Sequence, residues 1–101
     1  MNHGTDTIPV IYRIWVTGNR EVIALFPTLP GGNKPSEMSS YMHFGQHGAA
    51  ERDAVYRVTR PASVTEAADL ARELAGIGYQ LEPVKRITWR HDQARMAALL
   101  N

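Results

Sequence analysis

Apolar side chains crowd residues 8–17 (Ile-Pro-Val-Ile-Tyr-Arg-Ile-Trp-Val-Thr) and 22–26 (Val-Ile-Ala-Leu-Phe), with Thr17-Gly18-Asn19-Arg20 between. β-Branched and aromatic types suit a pleated, half-buried surface, and a short polar segment with glycine reverses the chain. The two runs therefore predict a β-hairpin. Residues 27–35 hold three prolines and two glycines and predict an exposed loop. Residues 39–46 predict a third strand, after which His47-Gly48-Ala49-Ala50-Glu51-Arg52-Asp53 breaks the pattern. Residues 54–59 are open between a short strand and an irregular connector, closed by Arg60-Pro61 because a residue before proline avoids the helical region.

The period then changes. Ser63-Val64-Thr65-Glu66 is a capping box, and Ala67, Leu70, Ala71, Leu74 and Ile77 follow at helical spacing before Gly76-Ile77-Gly78. This predicts a helix over residues 64–75. Residues 79–89 predict a long returning strand with Pro83 at an edge or bulge. Residues 92–100 predict a short C-terminal helix with Met96, Leu99 and Leu100 on one side, which needs a docking surface to be stable. Residues 1–7 read as a loose leader before a single domain. The order β-β-β-α-β, with hairpin connections first, predicts the α+β class: a mostly antiparallel sheet of about four strands with one main helix on a face.

The hairpin raises a packing question. A two-residue turn at Gly18-Asn19 would set Tyr12 against Leu25 and Ile14 against Ile23 on one side, and Ile11 against Phe26 and Trp15 against Val22 on the other. Both sides are apolar, and one helix covers one side. Each large apolar side chain left wet forgoes about 1.5–3 kcal/mol. Ile11, Trp15, Val22 and Phe26, with Met96 and Leu99 from the last helix, are thus the expected interface, covered by the C-terminal segment, a second copy in a homodimer, or another protein.

Composition narrows the function classes. A net charge of +1 advertises neither nucleic acid nor anionic membrane as partner. The absence of cysteine removes disulfides, thiolate metal sites and thiol nucleophiles. The polar start and the short apolar runs give neither an export signal nor a membrane span, so a cytoplasmic setting is expected.

Candidate chemistry gathers in Tyr41-Met42-His43-Phe44-Gly45-Gln46-His47. On a continuous strand Tyr41, His43, Gly45 and His47 share a face, and the two imidazoles stand about 13 Å apart at roughly 3.3 Å per residue. They share a metal only if Gly45 bends the chain, so no metal and no cofactor are expected. The ligand-binding candidates are Tyr41, His43, Gln46 and His47, with Arg57 and Arg60 as anion-binding groups. The catalytic alternative pairs His43 and His47 with Asp53 as orienting carboxylate or third ligand. Lys85, Arg86, Trp89 and Arg90 place cations beside an aromatic ring, as a nucleic-acid surface would, but Glu82 and Asp92 dilute the charge and strand alternation makes Trp89 a packing residue.

Val22-Ile23-Ala24-Leu25-Phe26-Pro27, residues 41–47, Thr59-Arg60-Pro61-Ala62 and Leu74-Ala75-Gly76-Ile77-Gly78-Tyr79 resemble segments of small uncharacterised bacterial proteins carried on plasmids, phages and integron gene cassettes. The resemblance spans about residues 10–88 and implies a cytoplasmic accessory protein of a mobile element, with no activity attached. The leading expectation is a non-enzymatic binding or interaction module. The alternatives are a small enzyme or metal-binding protein using His43, His47 and Asp53, and a nucleic-acid binder using Lys85, Arg86, Trp89 and Arg90.

Overall fold

A computed structural model describes residues 7–43 and 45–100. The expected leader, apart from Thr7, and Phe44 lie outside the described residues. The elements are β1 (Ile8–Trp15), β2 (Val22–Pro30), β3 (Glu37–Met42), β4 (Gln46–Glu51), α1 (Arg52–Val58), β5 (Thr59–Pro61), α2 (Val64–Ile77), β6 (Leu81–Pro83) and α3 (Trp89–Leu100). The strands form one six-stranded sheet in the order β4-β3-β2-β1-β5, with β6 beside β1 as well. All pairings are antiparallel except that of β6 with β1. The protein is therefore α+β with a mostly antiparallel sheet, and no helix among the described residues is long and apolar enough to cross a membrane.

The hairpin register differs from the expected one by a residue. Gly18 and Arg20 both take left-handed backbone, φ 70° and 54°, and Trp15 N–H donates to Glu21 O, so the connection is longer than two residues. Ile11 pairs Leu25, Tyr12 pairs Ala24 and Ile14 pairs Val22. A slip of one residue turns every side chain of one strand to the opposite face. Val10, Ile14, Val22, Ala24, Phe26 and Tyr41 accordingly pack with Ala67, Leu70 and Leu74 of α2. Ile11, Ile23, Leu25 and Met38 form a second cluster with Val55 of α1, flanked by Trp15, Tyr56, Val84 and Ile87.

This corrects the expected interface. Val22 and Phe26 lie under α2, while Ile11 and Trp15 belong to the other face, and Ile11, Val22 and Phe26 are all buried within the chain. Val55 of α1, with Val84 and Ile87, covers the face of Ile11 and Trp15 from within the chain, where the C-terminal segment, a second copy or another protein was expected to do so. Met96 stays exposed and Leu99 half-buried.

Three further elements depart from the sequence reading. Residues 39–46 do not run as one strand, because Gly45 takes φ 78° and folds β4 back on β3. Residues 54–59 are mostly helical, within α1. The strand expected over 79–89 is reduced to Leu81–Pro83, because Trp89 already opens α3.

α2 is the best-specified element. Ser63 Oγ accepts from Glu66 N–H at 3.1 Å, and Glu66 Oε1 accepts from Ser63 N–H at 2.9 Å. Ser63→Ala leaves a helix N–H without its cap and is expected to cost about 0.5–2 kcal/mol in urea unfolding. An unmoved midpoint would place the start of the helix elsewhere. At the other end Tyr79 N–H donates to Leu74 O and Gly78 N–H to Ala75 O, the Schellman arrangement, with Gly78 at φ 120°. That turn delivers Tyr79 back onto the sheet, where its ring stacks on Phe26 at 5.3 Å between centroids.

Between Phe26 and Pro30 the pairing of β2 with β3 shifts register. The Pro27 carbonyl accepts from Arg95 Nη1 at 2.6 Å, and Arg95 Nε donates to Pro35 O at 3.1 Å. α3 is thus held to β2 and the following loop by a guanidinium buried to 6 % exposure.

Candidate functional site

The hairpin of β3 and β4 and the last turns of α2 meet on one face of the sheet. Tyr41, buried to 1 % exposure, donates from its hydroxyl to Glu73 Oε2 at 2.5 Å and accepts from Gly45 N–H at 2.9 Å. The other Glu73 oxygen, Oε1, lies 2.9 Å from His43 Nδ1. The Glu73 bond first, and burial second, push the Tyr41 hydroxyl above its ordinary range, so it remains a neutral donor. His47 sits opposite Tyr41 in the ladder, its ring edge-on to the Tyr41 ring at 4.6 Å, and its Nε2 lies 3.3 Å from the Tyr79 hydroxyl. A hollow of about 470 Å³ opens beside it, lined by Ile8, His47, Ile77, Gly78, Tyr79 and Gln80.

Of the expected ligand-binding residues, Tyr41, His43 and His47 come together here, and Gln46 is exposed at the start of β4. The bend at Gly45 does what a continuous strand could not, bringing both histidines to Tyr41. Arg57 and Arg60 lie elsewhere: Arg57 is exposed in the last turn of α1, and Arg60 is occupied by Glu66. Asp53 does not join the histidines. It opens α1, 3.2 Å from Arg52 Nε, in a small cleft with Ser36, Met38, Glu51, Asp92 and Arg95, and Met38 belongs to the opposite face from Tyr41. Among the described residues no group of three or more histidine or acidic side chains is placed to hold a metal.

Two residues of the network were not foreseen. Glu73 borders the buried helix stripe one position before Leu74, and an acid there is the available signal. Tyr79 follows the helix-ending glycine, where an aromatic residue commonly folds back on the helix.

The basic candidates take another place. Lys85 and Arg86 are exposed between β6 and α3. Trp89 is not a strand packing residue; it is 62 % exposed at the start of α3, with the Arg90 guanidinium 5.3 Å from its ring centre.

The Arg60 fork donates to both Glu66 oxygens, at 2.9 and 2.7 Å, and with Ser63 N–H holds that carboxyl at about 2, down from 4.5. A depressed carboxyl stabilises the fold fully above its unfolded value and loses that contribution as pH falls through the folded value. Stability should therefore decline between about pH 4.5 and 2. Acid unfolding of Glu66→Gln is expected to be flatter over that window; an unchanged profile would assign the acid sensitivity to other carboxylates.

No family model, curated protein or solved structure matches the chain.

Proposed function

We propose that this protein is a non-enzymatic interaction module that takes up a polypeptide strand along β4. The supporting observation is the contrast between the two edges of the sheet. β5 and β6 are three residues each and end in Pro61 and Pro83, and Arg60 adds charge, so that edge carries the usual guards against strand addition. β4 is six residues of Gln-His-Gly-Ala-Ala-Glu, hydrogen-bonded on one side by β3, with five of its six residues exposed. It contains no proline or lysine, and its centre is Gly48-Ala49-Ala50. An unguarded edge with small side chains lets another backbone approach. The Tyr41–Glu73–His43 network braces the turn that presents it.

One observation favours a catalytic reading instead, in altered form: Glu73 orients His43 as a carboxylate orients a general base, with no part for Asp53. Against it, the hollow beside the network is lined by His47 and Tyr79 rather than by His43 or Glu73.

Native mass spectrometry of the gently purified full chain tests the proposal. The expected result is a stoichiometric bound polypeptide that Ala49→Pro releases while circular dichroism and the thermal midpoint are retained. A chain with no polypeptide bound, or a partner indifferent to Ala49→Pro, would overturn it.

A further inference from the structure

Which backbone fits β4 follows from its register. In an antiparallel ladder residues alternate between exchanging N–H and C=O with the neighbour and pointing both away. Tyr12 directs its carbonyl to Ala62, away from β2. Its β2 partner Ala24 therefore turns its backbone groups to β3, toward Tyr41, and Tyr41 in turn directs its own groups away from His47. Carried along β4, the alternation leaves the N–H and C=O of His47 and Ala49 and the N–H of Glu51 pointing out of the sheet, and the groups of Gly48 and Ala50 pointing to β3, while the Glu51 carbonyl, at the N-cap of α1, serves the first turn of that helix.

Resting on the interaction-module reading, we infer that the occupant is a second copy of this chain, its β4 paired antiparallel with the first about a two-fold axis through Ala49. The outward groups are then self-complementary. Ala49 exchanges N–H and C=O with Ala49 of the partner subunit. His47 stands opposite Glu51 of the partner subunit, and Glu51 opposite His47 of the partner subunit. His47 N–H is already taken by Gly45 O at 3.0 Å, so at the outer pairs the Glu51 N–H donates to the His47 carbonyl. The contact thus gains about four backbone hydrogen bonds.

The side chains select this register. His47, Ala49 and Glu51 alternate onto one face, the face of Tyr41, so each imidazole lies beside the carboxylate of the other copy. Glu51 engages one oxygen, Oε2, with Ser36 Oγ at 3.1 Å in its own chain, and this bond steadies the carboxylate. Moving the axis to Gly48 or Ala50 would leave His47 facing Ala49 or a residue beyond the strand, and would forfeit both cross-pairs. Directly opposed side chains of opposite character stabilise a strand pair, and opposed like charges destabilise it. Gly48, Ala49 and Ala50 bring little or no side-chain bulk to the edge, and the exposed Ile77 and the hollow beside His47 flank it on the same side of the sheet. The product is one continuous sheet across two copies, with both β4 edges removed from solvent.

Light scattering and sedimentation of the full chain over a micromolar concentration series test the inference. A concentration-dependent dimer is expected. Ala49→Pro deletes the central donor while leaving every β3 bond in place, because the Ala49 N–H points outward; it should weaken the dimer at least about tenfold. Glu51→Lys replaces the acceptor opposite each imidazole with an ammonium and should weaken it as well, while the exchange His47→Glu with Glu51→Lys should restore it, with a carboxylate opposite each ammonium. That rescue keeps the register testable even if the proline variant fails to fold. A dimer unaffected by Glu51→Lys, or one that the double exchange does not rescue, would overturn the register. A monomer at every concentration would overturn self-association. If that monomer instead retains a different polypeptide that Ala49→Pro releases, the interaction-module reading stands and only the second copy is excluded; a monomer without any bound chain removes both.

Discussion

Leu74→Ala is expected to lower the unfolding free energy by about 2–5 kcal/mol, a large part of the ~5–15 kcal/mol that a small domain holds. Leu74 is fully buried between α2 and the sheet, in the cluster with Phe26 and Tyr41. Truncation removes its transfer energy and leaves a cavity that the sheet below cannot close. Its carbonyl also receives N–H groups from Gly78 and Tyr79, so loosening here reaches the turn that delivers Tyr79 to Phe26 and His47. Urea unfolding gives the magnitude and hydrogen exchange the location. Equal protection of α2 amides in the variant would mean that the packing assigned to Leu74 is wrong.

Arg95→Ala should cost roughly 2–4 kcal/mol, because Arg95 is the buried residue of α3. The guanidinium serves Pro27 O, Pro35 O and Asp92 together. Its removal leaves the Pro27 and Pro35 carbonyls without this donor, and a buried acceptor left unpaired costs about 1–3 kcal/mol. Arg95→Lys should recover only part of the loss, because an ammonium cannot reproduce a planar fork. The readout is the thermal midpoint together with proteolysis of the loop over residues 31–36. A variant with the wild-type midpoint and an uncut loop would show that α3 docks through Leu99 and its neighbours instead.

The two predictions rest on information of different kinds. Leu74 was legible: its spacing from Ala67 and Leu70, the Ser63 box and the terminal glycine agree on one helix with one buried face, and each of those signals is local. Arg95 was not legible as a structural residue. An arginine on a short helix reads as solvent-facing until a register shift near Pro27 places a carbonyl in its reach, and the partner stands 68 positions away. Arg13 repeats the case. It lies in an apolar strand, yet its guanidinium is buried against Thr59 and over the Tyr56 ring, which is how α1 and β5 are tied to β1.

The candidate site divides in the same way. Tyr41, His43, Gln46 and His47 stood out as a cluster of polar and aromatic types in one short segment. That the chain folds back at Gly45, and that Glu73 closes the network, required the turn geometry and the helix orientation. Asp53 had no such constraint, and one short helix carries it to the other face of the sheet.

By itself the sequence determined the class, the first hairpin, the main helix with its capped start, and the absence of any cysteine chemistry, while the helix runs two residues past the expected end, to Ile77. Those features depend on residues a few positions apart, where spacing and capping act without help. Tertiary structure alone decided the hairpin register, the conversion of residues 52–58 to helix, the shortening of the last strand and the identity of the exposed edge. Each is a choice between local conformations of similar energy, settled by contacts over long sequence separations. A single residue added to the first turn exchanges the two faces of β2, and so decides which apolar side chains are core and which backbone edge remains open to a partner.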